Sequence, residues 1–372
     1  MWNTRRSKSS QPYRLQISDN IIGFSSTIIT SVMDSAKVSM SSKRPPIFIL
    51  GNRRSGTTLL RLLLTCHRDI VIPPEGGFIW TLGWKYDWIK EINRIDVANF
   101  VNDLFKLDNT QDWEIDRKSL LCRLEELVPC EYPLLIDGVY CEYAEKRFPG
   151  KNRWGDKTTG YLDFLPQLRR YFPYAQYIHI VRDGRSVVAS FKNVPHLSSH
   201  IEDASLEWIQ GIRQVGRFRR TVNPDRFIEI KYEDLVSNPE KQLRNLCEFL
   251  HEPYDAEMLN YWKLNRRDRL EPERHLGWKY LTLEKITTRR ISSWQDELSK
   301  EEVERFLLFA WKELSRLGYT DESDLSIFRP MYWAWFYVIL YSAVYLFVRV
   351  VKAKLRPLKA CISYQFKRNF RT

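Results

Sequence analysis

The chain has 372 residues, with 58 Lys and Arg against 46 Asp and Glu and a formal charge of +12. Eight of those cations and no acid fall in residues 349–372, and seven cations with two acids fall in residues 1–44, leaving 43 basic against 44 acidic residues in the body. A folded domain with a basic nucleic-acid face would carry its excess in the body, so no nucleic acid is expected as a partner. An apolar content of 44% with 14% aromatic residues excludes a disordered or collagen-like chain.

Residues 1–44 read as a basic, Ser-rich extension without the apolar core of a secretory signal. The run Ile47-Phe-Ile-Leu50 follows two prolines and predicts a buried strand, and the leucine-rich stretch 57–66 predicts a helix. Residues 76–150, with Trp80, Trp84, Trp88 and Trp113, read as a helical and irregular cap inserted after this first unit. Further strands are expected at 177–181 and 226–232, with helices starting at Ser186, spanning 239–250, and spanning 300–317 before Gly318. Strands alternating with helices imply an α/β fold, a three-layer P-loop-like domain with a central parallel sheet over residues 45–320.

The segment 331–348 is uncharged and eight of its 18 residues are aromatic. With Val350 and Val351 it predicts a C-terminal apolar membrane helix over residues 331–351, spanning or interfacial, followed by a basic tail over 352–372. The expected location is membrane-associated, with the catalytic domain cytoplasmic. Six cysteines lack C-x-x-C pairing and no His cluster has zinc spacing, so reduced thiols and no metal are expected.

The first strand leads into Gly51-Asn-Arg-Arg-Ser-Gly56-Thr57-Thr58, a glycine-framed loop opening a helix. Glycines allow close backbone approach, and the N–H groups of a helix start attract an anion. Thr57 stands where a Walker loop has its lysine, which disfavours an ATPase or kinase. Arg53 and Arg54 supply charge in its stead, and Ser55, Thr57 and Thr58 supply hydroxyls, a set suited to a single 5′-phosphoryl group.

These residues resemble the 5′-phosphosulfate loop of the sulfotransferases that use 3′-phosphoadenosine 5′-phosphosulfate, and the resemblance recurs along residues 45–320. It implies that Arg53, Arg54, Ser55, Gly56, Thr57 and Thr58 hold the co-substrate, and that Arg182 and Ser190, in Val181-Arg-Asp-Gly-Arg-Ser-Val-Val-Ala-Ser190, bind its 3′-phosphate. Tyr232, in Lys231-Tyr-Glu-Asp-Leu235, would lie against the nucleotide, with Glu233 and Asp234 structural; residues 287–290 could form a second clamp on the 5′ group. The motifs are most similar to the protein-tyrosine sulfotransferase branch. There a glutamate 24 positions past the loop's first glycine is the general base, which implies Glu75, and a lysine at the transferring group implies Lys157, with Asp156 as its orienting neighbour. Fixed cations at the bridging oxygen, here Lys157 and Arg54, stabilise the charge that develops as the S–O bond breaks. His179 and His196 are alternative bases.

The implied function is sulfuryl transfer to an acceptor hydroxyl on a lipid, glycan or peptide. The C-terminal placement of the apolar segment and the absence of a disulfide framework depart from the tyrosylprotein branch. Two other readings remain open at this point: another P-loop nucleotide-dependent transferase or kinase, and a non-catalytic membrane-associated nucleotide-binding protein.

Overall fold

The computed structural model of the protein describes residues 44–195, 197–320 and 336–351. Five strands form a single parallel sheet in the order β2–β3–β1–β4–β5: β1 (Ile47–Leu50), β2 (Ile70–Val71), β3 (Arg153–Asp156), β4 (Gln176–Val181) and β5 (Phe227–Lys231). Helix α1 (Thr57–Thr65) follows β1, and the cap holds α2 (Phe78–Tyr86), α3 (Arg94–Leu104), α4 (Asp108–Gln111), α5 (Arg117–Glu125) and α6 (Tyr132–Arg147). Helix α7 (Leu165–Tyr171) leads to β4, and α8 (Gly184–Lys192) and α9 (Ile201–Arg219) lead on to β5. The chain continues through α10 (Tyr232–Ser237), α11 (Pro239–Leu250), α12 (Tyr261–Asp268), α13 (Glu273–Lys279), α14 (Trp294–Glu297) and α15 (Lys300–Arg316), and residues 336–351 form a last helix, α16.

A strand with no polar residue must be buried on both faces, and β1 divides its side chains accordingly. Ile47 and Ile49 pack with the leucines of α1 and with Leu243, Leu246 and Leu250 of α11. Phe48 and Leu50 face the opposite way, into the aromatic core of the cap, where Phe48 lies 5.8 Å from Tyr177 and 6.0 Å from Trp154. A third apolar cluster joins α8, α9 and α15. The α/β class with a central parallel sheet is therefore as expected, and residues 76–150 form a five-helix cap over one face. Helix α15 begins at a capping box in which Ser299 accepts from the Glu302 N–H and the Glu302 carboxylate accepts from the Ser299 N–H.

Strands β2 and β3 have no counterpart in the sequence expectations. The first is only two residues long, and β3 reads Arg-Trp-Gly-Asp, which carries no strand pattern. It is buried because Arg153 satisfies its donors inside the protein: Nε to Pro45 O (2.9 Å), one terminal nitrogen to Leu250 O (2.7 Å) and Glu252 Oε1 (2.9 Å), the other to Gln176. A buried guanidinium is tolerated only when so paired.

The helix expected over 331–351 is described from residue 336. Among the described residues no helix is long and apolar enough to cross a membrane. Among the described residues Cys66, Cys122, Cys130 and Cys247 are free thiols. The extension before residue 44, His196, Cys361 and the tail after residue 351 lie outside the described residues. Arg153→Met should destabilise the fold by about 3 kcal/mol by removing one of the cations paired with buried Glu252, read as a lowered urea midpoint at unchanged slope.

Candidate functional site

All five strands run the same way, so their carboxyl ends share one edge, and the residues just past each end converge there. The Gly51–Gly56 loop follows β1, Glu75 follows β2, Lys157 follows β3, Arg182 follows β4 and Tyr232 follows β5. This is where open parallel sheets bind ligands, beside the central strand from which the topology winds both ways.

A cleft at that edge is lined by Arg54, Gly56, Thr57, Thr58, Arg182, Ser190 and Tyr232, facing Trp278, Lys279, Thr287 and Arg290. Gly56 has φ +92°, and a Cβ there would lie 2.5 Å from the Tyr232 ring, so only glycine lets the loop and the aromatic ring meet. Arg54 also has a positive φ, 67°, unusual for a residue with a side chain. The kink separates two sequence neighbours. Arg54 turns inward, where its Nε donates to Ser190 Oγ at 2.9 Å and a terminal nitrogen donates to Trp278 O at 3.0 Å. Arg53 turns outward and forms a two-pronged ion pair with Glu207 of α9, at 2.8 and 2.7 Å. Of the loop's two expected arginines only Arg54 faces the cleft.

Among the described residues, Arg54 and Arg182 form no ion pair with a carboxylate, whereas Arg290 pairs with Glu297 at 2.6 Å. Arg182 is buried, stacks over the Tyr232 ring at 4.4 Å, and donates to the backbone carbonyls of Arg54 (2.8 Å) and Arg290. Its Nε has no hydrogen-bond partner. Burial lowers the Arg182 guanidinium below its usual range. Burial, then the charges of Arg182 and Arg290, push Arg54 down to about 10. Desolvated guanidinium groups that repel one another, with a donor left unused, form a site suited to a multiply charged anion.

Glu75 sits on a bend held from beneath by the cap. The Trp113 indole N–H donates to Pro74 O at 3.0 Å, and its ring lies where a Cβ on Gly76 would be, 2.7 Å away. Lys157, buried at 1% exposure, donates to Glu75 Oε1 at 2.5 Å. Burial alone would raise the Glu75 carboxyl, but the ammonium groups of Lys157 and Lys279 outweigh it and hold the group below the usual carboxylate range. Glu75 is thus a carboxylate at neutral pH. Asp156 does not serve as the hydrogen-bonding neighbour of Lys157. It is buried, faces the Tyr140 hydroxyl and Thr158 Oγ1, and is pushed up to about 7 by burial.

Two site residues had no motif to announce them. Lys279 lines the cleft and donates to Glu271, whose other oxygen accepts from Arg61 at 2.7 Å; Glu271 also meets His275 Nδ1 at 3.1 Å. Burial, then the charge of Lys157, lower the Lys279 ammonium to about 8 against the opposing pull of Glu271 and Glu75. His275 and Lys279 stand i, i+4 on helix α13, with Glu271 just before its start, a spacing that was the available signal.

The remaining expectations divide. Ser55 is buried within the loop. Thr287 and Arg290 of the expected second clamp line the cleft, whereas Arg289 turns back to Thr287 Oγ1. His179 is a buried strand residue bonded to Glu229 at 2.8 Å. A separate trio, His67, Asp69 and Glu252, lies close enough to hold an ion. Both His67 nitrogens already meet Pro253 O and the Asp69 N–H, and both Glu252 oxygens meet Arg44 and Arg153, so the trio acts as a fold clamp.

The chain is similar to known proteins in sequence and fold. The family described as "Sulfotransferase family" matches residues 45–256. Protein-tyrosine sulfotransferase 1 of Danio rerio is 26% identical over 292 residues, covering 75% of this chain and 74% of the relative. Protein-tyrosine sulfotransferase 1 of Mus musculus is 30% identical over 227 residues, covering 58% and 54%. The solved sulfotransferase domain from the curacin biosynthetic pathway shares the fold at a TM-score of 0.51 and 23% identity, covering 75% of this chain and 99% of that one.

Arg182→Ala should abolish binding of 3′,5′-adenosine bisphosphate in calorimetry, a loss of roughly a hundredfold or more for a buried charge-assisted contact, while Arg53→Ala should leave the affinity within about twofold, because exposed ion pairs contribute little.

Proposed function

The chain belongs to the sulfotransferase family and is a 3′-phosphoadenosine 5′-phosphosulfate-dependent sulfotransferase, and from that premise we propose how its own residues divide the work. The observation that carries the reading is the pairing of a cationic cleft without a carboxylate partner, at Arg54 and Arg182, with an ionised Glu75 against Lys157 next to it.

The cleft fits the co-substrate by its unused Arg182 Nε and by a loop glycine pressed against Tyr232. Arg182 with Ser190 would hold the 3′-phosphate, Tyr232 would pack against the nucleotide, and Arg54, Ser55, Gly56, Thr57 and Thr58 would cradle the 5′ group through side chains and helix-start amides. When bound, the co-substrate supplies a sulfuryl group whose S–O bond to phosphate breaks as the acceptor oxygen bonds to sulfur. Glu75, ionised and fixed by the Trp113-braced bend, takes the proton from that acceptor hydroxyl. Lys157 and Arg54 meet the negative charge that gathers on the departing phosphate oxygen. Lys279 adds a third cation from the opposite wall, with Arg61 holding its carboxylate partner Glu271 in place. Arg53 supports the loop from outside, through Glu207.

The acceptor side begins directly after the base. Trp80, Trp84 and Trp88 recur every four residues from α2 onward and line a second cleft with Phe164 and Tyr171. An aromatic wall of this kind suits the apolar part or ring face of an amphipathic acceptor, and we take a hydroxyl on a membrane-held lipid or glycan as its substrate. The names of the relatives favour a second reading, a tyrosine of a protein or peptide.

Radiosulfate labelling of membrane lipids, glycans and proteins, compared between wild type and Glu75→Gln, separates these acceptors: the fraction whose label disappears in the variant holds the substrate, and no change in any fraction would overturn the role of Glu75. On that acceptor Glu75→Gln should lower kcat by about 10²–10⁴-fold with bisphosphate affinity retained. Because Lys279 is charged only below about 8, kcat/KM should fall as pH rises through that value, and in Lys279→Arg this alkaline fall should vanish from the accessible range, since a guanidinium keeps its proton.

A further inference from the structure

Helix α16 presents its residues in the reverse of the usual order. The positions 337, 341, 345 and 349 recur every four residues and face the domain. The Tyr337 hydroxyl donates to Glu202 Oε1 at 3.2 Å and the Tyr341 hydroxyl to Asp203 Oδ1 at 2.8 Å, both acids lying in the first turn of α9. Arg349 pairs with Asp163 at 2.7 and 2.8 Å and donates to Gln210. Phe309 of α15 packs edge-on to Tyr337 and Tyr341, and Tyr345 joins the same apolar cluster. The hydrogen-bonding groups of α16 therefore point inward.

Outward it shows hydrocarbon. Phe336, Ile339, Leu340, Val344, Phe347 and Val350 are each more than half exposed. A surface helix of a soluble domain turns such residues to the core, and a continuous apolar face about 24 Å long, at 1.5 Å per residue, calls for a covering partner.

Two features select that partner. Residues 352–372, which follow the helix directly, contain seven Lys and Arg and no acid. A second copy seated on this face would bring two such tails together against their mutual repulsion, whereas an anionic surface would attract each of them. Insertion across a bilayer would strip Tyr337, Tyr341 and Arg349 of their partners on α9 and beside α7, at the cost of unpaired polar groups in hydrocarbon.

We propose that the outer face of α16 lies in the interface of an anionic membrane, with the cations of residues 352–372 on its headgroups, so that the domain is seated on the surface and does not span it. This deepens the reading of a membrane-held acceptor given above and rests on it for its purpose, although the contact itself is independent of catalysis.

The test is flotation of the purified full chain with vesicles of phosphatidylcholine, alone or mixed with phosphatidylserine. The full chain should float with the mixed vesicles, more weakly with phosphatidylcholine alone, and less as salt is raised. The double variant Ile339→Asp with Phe347→Asp should lose at least about tenfold in partitioning, as expected when two apolar anchors of an interfacial helix become charged. Its melting temperature and bisphosphate affinity should match wild type, showing that the fold and nucleotide site are intact. The proposal is overturned if the full chain floats with neither vesicle or if the double variant floats as well as wild type. It is equally overturned if wild type sediments as a dimer that the variant converts to monomer, or if alkaline carbonate fails to release the bound protein, the sign of a spanning helix. Bisphosphate binding measured on the same samples reports separately on the nucleotide site, so failure there would fall on the catalytic reading and leave the membrane contact standing.

Discussion

Parallel pairing of β1 with β3 on one side and β4 on the other constrains everything else in this protein. Parallel neighbours require each crossover to return over a face of the sheet, and as a result every strand ends at the same edge. Residues drawn from five distant parts of the sequence, Arg54, Glu75, Lys157, Arg182 and Tyr232, reach one place without any long loop having to be ordered. The short strands suffice because β1 is buried on both faces by leucines and aromatic rings. Each site residue stands within a few positions of a strand end, where the backbone is held by the ladder.

The charges at that edge fall into two groups with different physics. On the side proposed for the co-substrate, Arg54 and Arg182 bond to hydroxyl and carbonyl oxygens, and burial together with repulsion from neighbouring guanidinium groups destabilises their charged forms. That destabilisation would be relieved by a bound anion. On the acceptor side the opposite holds: Lys157 with Glu75, and Lys279 with Glu271, are already paired. Pairing keeps Glu75 ionised, as the proposed base must be.

Legibility followed the range of the interactions that create each element. Strand β1, the helix after it, β4, β5 and the boxed start of α15 are written in local runs and caps, and were readable. Strand β3 was not, because its burial depends on Arg153 finding partners at Pro45, Leu250, Glu252 and Gln176, none of them close in sequence. The same distinction separates Arg53 from Arg54: both belong to one loop, and only the left-handed backbone at Arg54 decides which of them enters the cleft. Lys279 and Glu271 belong to no loop motif, and their place in the site comes from helix α13 packing across the cleft. The apolar run at the C-terminus was visible as hydrocarbon, but its inward tyrosines acquire meaning only against the acids of α9.

The bracing of Glu75 by Trp113 gives the proposed base a foundation in the cap. Trp113 is wedged among Phe78, Tyr140 and Tyr143, in the apolar cluster where the cap meets Phe48 and Leu50 of β1, while the arginines of the cleft stand on the loops after β1 and β4. The two halves of the proposed centre thus lean on different elements. Loss of cohesion in the cap would blunt proton removal while the nucleotide grip persisted, so a chain that still retains its donor can already have stopped turning over.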